Sequence, residues 1–395
     1  MPNIEQLEDA MQVAPLKLIV HPSCTELGQQ VDEYLVNYRR QINQPHKSSP
    51  AYYDYERTTY LTDFVCPRFG SGEGKSVIRE TVRGRDVFIL ADVCNHSLTY
   101  TVNGLENHMS PDDIFQDIKR IIAAIAGKAH RVTVVMPFLY ESRQHKRYGR
   151  ESLDCAQALV ELKNMGVYNI VTFDAHDPKV QNSIPLCGFD SFVPPYQFIR
   201  ALIHYEKDLI IDKDNLVVIS PDEGALPRAV YFAGVLGVDT GMFYKRRDYS
   251  TIVNGKNPIV AHEFLGDEID GKDVIIIDDM ISSGGSMLDT AKQLKTMNAK
   301  RVFICCTFGL FTEGLDDFDK AYEKCYFDKI ITTNLTYRPI ELEDRPYYIE
   351  ANMSKFLASI IDFLNHDVAL SKVHTPTEKI KSILEKYNSR EEEEY

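Results

Sequence analysis

The chain has 395 residues, of which 44% are hydrophobic and 26% charged, has no tryptophan, and carries a formal charge of −14. That length is too great for one ordinary domain and suits two or three, each burying its own core. The acidic balance argues against a general nucleic-acid binder, which needs a positive footprint to release counterions, but it leaves room for local basic pockets that take small phosphorylated molecules. No apolar run approaches the roughly 18 residues of a membrane helix, and the N-terminus lacks a charged-then-apolar leader pattern. A cytoplasmic protein without membrane partners is expected. The eight cysteines (Cys24, Cys66, Cys94, Cys155, Cys187, Cys305, Cys306, Cys325) are scattered with no C-x-x-C pair, so reduced structural thiols are expected rather than zinc ligands or disulfides.

Short β-branched or apolar runs alternate with amphipathic stretches. In order, L-K-L-I-V (16–20), D-V-F-I-L (86–90), R-V-T-V-V-M-P (131–137), Y-N-I-V-T-F (168–173), N-L-V-V-I-S (215–220), D-V-I-I-I-D-D (273–279) and R-V-F-I-C-C-T (301–307) predict parallel strands covered on both faces. Helical patterns fall between them, for example 152–165 and 285–298, the latter stopping near Asn298. The polar, Pro- and Tyr-containing stretch 41–60 reads as a loop insertion. The tail after about 366 holds a helical stretch, 377–387, and ends in a solvated E-E-E-E-Y. Strand–helix alternation on this scale means an α/β architecture of βαβ units. It runs twice, so two similar domains are expected, 1–165 and 166–365, followed by a helical and acidic extension, 366–395.

The segment most informative about chemistry is V-I-I-I-D-D-M-I-S-S-G-G-S-M-L-D-T-A, residues 274–291. A buried strand delivers Asp278 and Asp279 to its carboxyl end, where open α/β sheets bind ligands. The loop Ser282, Ser283, Gly284, Gly285, Ser286 then opens a helix. Its glycines let backbone N–H groups close round a phosphate, its hydroxyls add donors, and the helix N-terminus adds partial positive charge. Adjacent carboxylates repel unless they meet a cation or a pair of hydroxyls; a ribose 2,3-diol, directly or through Mg²⁺, satisfies both. An ordinary strand–turn–helix with acidic capping is the structural alternative.

This segment resembles the phosphoribosyl-pyrophosphate loop of the type I phosphoribosyltransferase fold, with Ser282 standing where that family has a third acid. Four further segments, in chain order, resemble ribose-phosphate pyrophosphokinases. M-P-F-L-Y-E-S-R-Q-H-K-R (136–147) offers Arg143 and Gln144 to the nucleotide, with His145 in place of the usual aspartate. F-D-A-H-D (173–177) resembles the element whose histidine binds metal–ATP, here His176, and S-P-D-E-G-A-L-P-R-A (220–229) the one whose aspartate holds magnesium, here Asp222. F-Y-K-R-R-D (243–248) resembles a mobile catalytic loop, with Lys245 and Arg247 as its cations. In addition, R-F-G-S-G-E (68–73) resembles the segment that holds adenine, often across a subunit boundary, through Phe69 and Glu73; Ser71 replaces its aspartate.

The resemblance implies two tandem phosphoribosyltransferase-like domains, each a mostly parallel sheet flanked by helices, in a homo-oligomer built from dimers. It implies transfer of pyrophosphate from Mg²⁺-ATP to the 1-hydroxyl of ribose 5-phosphate, with Lys245, Arg247 and His176 catalytic, Phe69, Glu73, Arg143, Gln144 and His176 on ATP, and His176 and Asp222 on the metal. Ribose 5-phosphate would lie on Asp278, Asp279, Ser282, Ser283, Gly284, Gly285 and Ser286. Two other functions fit part of the pattern. A phosphoribosyltransferase needs the 274–291 segment alone, and a non-catalytic regulatory homologue accounts for the changes at Ser71 and Ser282.

Overall fold

The computed structural model describes residues 10–43, 52, 54–247, 259–371 and 376–389. Two compact units divide the chain. The first runs to Val193 and regains Asn334–Tyr337 and the segment from Asn352; the second comprises Pro194–Thr333, Arg338–Ala351 and the segment from Pro376.

Strands of the first unit are β1 (Leu16–Val20), β2 (Phe64–Val65), β3 (Val77–Ile78), β4 (Asp86–Leu90), β5 (Thr99–Val102), β6 (Leu105–His108), β7 (Arg131–Val135), β8 (Asn169–Phe173) and β9 (Gly188–Phe192). Five form one sheet in the order β1-β4-β7-β8-β9, and every pairing in it is parallel. The runs expected at 16–20, 86–90, 131–137 and 168–173 supply four of these strands, and β4 and β8 are buried along their whole length. β8 and β9, which follow residue 165, lie in this first unit. The helix Pro111–Ile125 starts in a capping box, Ser110 and Asp113 each accepting from the other's backbone N–H, and buries Ile114, Ile118, Ile121 and Ile125 on one face.

The stretch expected as a loop insertion is partly core. The helix Thr25–Asn43 extends into it, and Tyr55 and Tyr60 are fully buried; residues 44–51 and 53 lie outside the described residues. The two rings cover the buried guanidinium of Arg39, which stands 5.0 and 4.9 Å from their centroids. Arg39 also donates to Asp362 Oδ1 through Nε at 3.0 Å and Nη2 at 2.7 Å, on the helix Ser354–Asn365 that returns to this unit. A charge taken this far out of water persists only when paired and hydrogen-bonded.

The second unit holds β10 (Leu216–Ser220), β11 (Asp239–Arg247), β12 (Ile259–Leu265), β13 (Asp273–Ile281), β14 (Arg301–Gly309), β15 (Lys329–Thr333) and β16 (Tyr348–Ala351), in the order β12-β11-β10-β13-β14-β15-β16. All pairings are parallel except β11 with β12. Two apolar layers cover the sheet: one includes Phe198, Leu202 and Phe232, the other Met287, Leu294 and Phe318. The expected helix 285–298 is observed as Gly285–Thr296, with Asn298 taking a left-handed φ of 60° just beyond it. The expected tail helix is observed as Thr377–Ser389, and its Ile380 and Leu384 join the core; the final E-E-E-E-Y lies outside the described residues.

All eight cysteines are free thiols. Among the described residues, no helix is long and apolar enough to cross a membrane. Because Asp362 would be left buried without its cation, Arg39→Met should cost about 3–5 kcal/mol of stability, read as a lowered urea midpoint. A midpoint equal to that of the parent protein would show the pair to be dispensable.

Candidate functional site

The acid pair sits on β13. That strand runs past both aspartates to Ile281, since Met280 and Ile281 still pair with Phe308 and Gly309 of β14; the strand was expected to end at Asp279. Alternation along a strand sends neighbouring side chains to opposite faces. Asp279 is buried, whereas Asp278 is part-exposed. Among the described side chains, Arg228 faces Asp278, Nη1 standing 3.6 Å from Oδ1, too long for a strong hydrogen bond. Burial pushes the Asp278 carboxyl well above the ordinary range; the charges of Asp279 and Asp222 add to this, and Arg228 only partly opposes them. Asp222 follows β10, and its Oδ1 accepts N–H bonds from Gly224 at 2.9 Å and Ala225 at 3.2 Å, which fix its orientation. Arg228 was quoted within a motif but given no role; its position opposite Asp278 is visible only in three dimensions.

After β13 the chain turns through Ser282, Ser283 and Gly284 into the helix that begins at Gly285. Gly284 has φ 86°, and a Cβ there would come within 2.1 Å of the Phe318 ring, so the turn accepts no other residue. The first N–H groups of a helix lack intrahelical partners, and here they follow a tight, hydroxyl-rich turn. Ser282, Ser283, Gly284, Gly285 and Ser286 therefore lie at one sheet edge, just beyond Met280 and Ile281, which follow the acid pair on the chain.

Lys245 and Arg247 lie on β11, which pairs Lys245↔His262 and Arg247↔Ile259. The segment expected as a loop is thus strand as far as Arg247, because β12 supplies an antiparallel partner beyond the parallel part of the sheet. Asp248 and the side chains of Lys245 and Arg247 lie outside the described residues.

In the first unit the segments after β7 and β8 meet. The backbone N–H of His176 donates to Ser142 Oγ at 3.2 Å, and the His145 and His176 rings stand 5.2 Å apart, edge to face. His145 Nδ1 lies 3.2 Å from the Ser142 carbonyl and Nε2 3.5 Å from an Asp177 carboxylate oxygen. Burial lowers its pKa, as do the charges of His176 and Lys146, and Asp177 only partly opposes them. Arg143, Gln144 and His176 are exposed beside this cluster. Phe69 and Glu73 occupy a separate exposed loop, in which Ser71 Oγ donates to Glu73 Oε2 at 2.8 Å. His176 and Asp222, expected to share a metal, belong to the first and second units respectively.

One further cluster escaped the sequence. His21, Cys66 and Asp117 bring ligand-type atoms within 4.8 Å of one another. Asp117 is already engaged: Arg68 donates to both its oxygens at 2.8 and 2.7 Å, and Arg120 donates to Oδ1 at 2.8 Å. Burial raises the Asp117 pKa, but the bonds from His21, Arg68 and Arg120 outweigh it and bring the carboxyl to about 2. Burial pushes the Cys66 thiol up to about 11. A thiol held protonated and a carboxylate gripped by two guanidinium groups make an ion-pair anchor, not a metal centre.

Two tandem α/β units, the second with an acid pair beside a glycine–serine turn at the carboxyl edge of its sheet, define a protein of the phosphoribosyltransferase-like class. The N-terminal domain family of ribose phosphate pyrophosphokinase matches residues 16–166, and the phosphoribosyl transferase domain family matches residues 196–335. A ribose-phosphate pyrophosphokinase of Corynebacterium efficiens is 31% identical over 69% of this chain and 77% of its own. One from Thermosipho africanus is 32% identical over 70% and 81%, and one from Vibrio parahaemolyticus 29% over 79% and 90%. The crystal structure of a phosphoribosylpyrophosphate synthetase from Mycobacterium smegmatis shares the fold, with a TM-score of 0.69 at 24% identity over 89% of this chain and 99% of that one. The chain belongs to the ribose-phosphate pyrophosphokinase family.

The raised pKa of Asp278 has a consequence for stability. Above the ordinary carboxylate range the unfolded chain ionises freely while the folded site resists, so stability is lost as pH rises. Asp278→Asn should therefore raise the ligand-free melting temperature at pH 7 by a few degrees, with the gain vanishing toward about pH 4. A gain that is the same at both pH values would remove ionisation as its cause.

Proposed function

We propose that the chain transfers the β,γ-pyrophosphoryl group of Mg²⁺-ATP to the 1-hydroxyl of ribose 5-phosphate, giving phosphoribosyl pyrophosphate and AMP. The observation that carries this reading is the crowding of Asp278 by Asp279 and Asp222, whose charges Arg228 only partly offsets, an acidic site that suits a cation and a diol. Ribose 5-phosphate would set its 2,3-hydroxyls on Asp278 and Asp279 and its 5-phosphate in the turn from Ser282 to Ser286. ATP would meet Arg143, Gln144 and His176, with its base on Phe69 and Glu73.

Carboxylate oxygens are hard donors and suit magnesium. Asp222 and His176 are the residues that would hold it, and when bound it neutralises triphosphate charge. The rest falls to the chain's own groups. The sugar 1-oxygen attacks the β-phosphorus in line and gives up its proton, the bond from that phosphorus to the bridging oxygen breaks, and AMP leaves with that oxygen. Negative charge spreads over the equatorial oxygens, and Lys245 and Arg247 would stabilise it where it develops. Positioning and charge suffice, so no nucleophilic side chain is needed. A cytoplasmic homo-oligomer built from dimers belongs to the same reading.

A second reading, a nucleotide-binding regulatory homologue without turnover, is favoured by one observation: Ser71, in place of an aspartate, donates to Glu73 and engages an acceptor meant for the base. Incubation with ATP and ribose 5-phosphate separates the two, with AMP release expected for the enzyme and none for the regulator. Lys245→Ala should lower kcat by about 10²–10³-fold at unchanged melting temperature. Near-parental turnover would remove that lysine from the mechanism. Asp278→Asn should raise the KM for ribose 5-phosphate by at least about tenfold while the KM for ATP stays put; an unchanged sugar KM would refute the diol assignment.

A further inference from the structure

We propose that the β5–β6 hairpin is a positioning element for the nucleotide base, clamping the 68–73 loop so that Phe69 and Glu73 project from a rigid support. The inference rests on the reading of that loop as the base-holding segment.

The hairpin pairs Thr99↔His108 through Val102↔Leu105 and turns at Asn103-Gly104, whose φ values of 50° and 80° are those of a tight two-residue turn. All of β6 is exposed. A two-stranded ribbon with so little burial is marginal in water and depends on what it touches. It touches the loop. The Asn103 N–H donates to the Gly70 carbonyl at 3.0 Å. Val102 packs over Gly72, whose φ of +90° is a backbone conformation that favours glycine. The Tyr100 ring lies over the Arg68 guanidinium at 5.5 Å, and its hydroxyl stands 3.3 Å from the Asp113 carboxylate.

The loop is thus held at both ends. Its stalk is the Arg68 fork on Asp117, and it closes on itself through Phe69 N–H to Glu73 O and Gly72 N–H to Phe69 O, each 2.8 Å. Its crown is held by the hairpin turn. Between stalk and hairpin lies a cavity of about 710 Å³ lined by His21, Cys66, Arg68, Thr99 and Tyr100. The hairpin therefore bridges over the stalk, and its tip can be removed without disturbing the Arg68–Asp117 pair. Phe69 is left 47% exposed, an apolar ring suited to stacking on a flat partner. Fixing the loop beforehand lowers the ordering cost when a base arrives and restricts which bases fit.

The test replaces Thr101–Glu106 with Asn-Gly, which closes a shorter hairpin on the existing Tyr100↔Asn107 pair. The KM for ATP should rise about tenfold and the preference for ATP over GTP should fall, while kcat, the KM for ribose 5-phosphate and the melting temperature stay near parental values. An ATP KM within about twofold of the parent overturns the proposal. Should the shortened protein not fold, Val102→Asp in the full hairpin replaces it, with about a threefold rise in ATP KM expected and no rise overturning the proposal. If the parent releases no AMP, the reading of the activity fails, and equilibrium binding of ATP then decides the hairpin's role. Weaker binding by the shortened protein supports it, and equal binding overturns it.

Discussion

Asp222 and Asp279 crowd the Asp278 carboxyl at one edge of a sheet, and the Arg228 guanidinium 3.6 Å from it only partly offsets their charge, which sets the terms for the second unit. Packing puts Asp222 at the end of β10 and Asp278 and Asp279 on the neighbouring β13, so the repulsion comes from the fold itself. Such an arrangement is unfavourable in the free protein and favourable once an oxygen-seeking cation and a polyhydroxy ligand arrive. The turn that follows is constrained in the opposite sense. Gly284 is dictated both by its backbone angle and by the Phe318 ring behind it, and the helix start at Gly285 offers donors to an anion. On the proposed reading, the acid pair takes a cation with a diol and the turn takes an anion, which together match a sugar phosphate.

The first unit uses its charges differently. Arg39, Arg68 and Arg131 each grip a buried carboxylate, Asp362, Asp117 and Asp86 respectively, and each joins parts of the chain far apart in sequence. Such pairs contribute less to net stability than their geometry suggests, because desolvation offsets attraction. What they add is fixed orientation. The Arg68 fork holds the stalk of an exposed loop, and the Ser142 hydroxyl ties the backbone of His176 to the segment carrying Arg143. In both cases the groups proposed to meet the nucleotide stand on rigid supports, which lets a site keep its shape without burying its functional atoms.

Much of the fold was legible because apolar runs of five to seven residues, each followed by a helical pattern, have few other meanings in a long acidic chain. The segments 273–279 and 301–307 read as strands and are strands, buried along nearly all of their length. β9, with the sequence G-F-D-S-F, and β16, with Y-I-E-A, carry too few apolar residues to announce themselves; they are strands because a neighbour's edge was available. The segment 243–248 was expected as a loop because it resembles a mobile one, and its antiparallel partner β12 makes it strand as far as Arg247. Likewise Tyr55 and Tyr60 lie in a stretch with loop composition and become core because Arg39 needs covering.

The sequence by itself determined the family, the α/β character, the acid pair and the glycine–serine turn, because each is written in contiguous residues whose local geometry carries its own chemistry. Tertiary structure alone decided that Asp222 shares a field with Asp278, and that His145 leans on His176. It also decided that Asp117, with partners 49 and 96 residues distant, anchors the loop bearing Phe69. Electrostatic coupling and packing act through space over a few ångströms, and no spacing along the chain encodes which distant residues the sheet will bring that close.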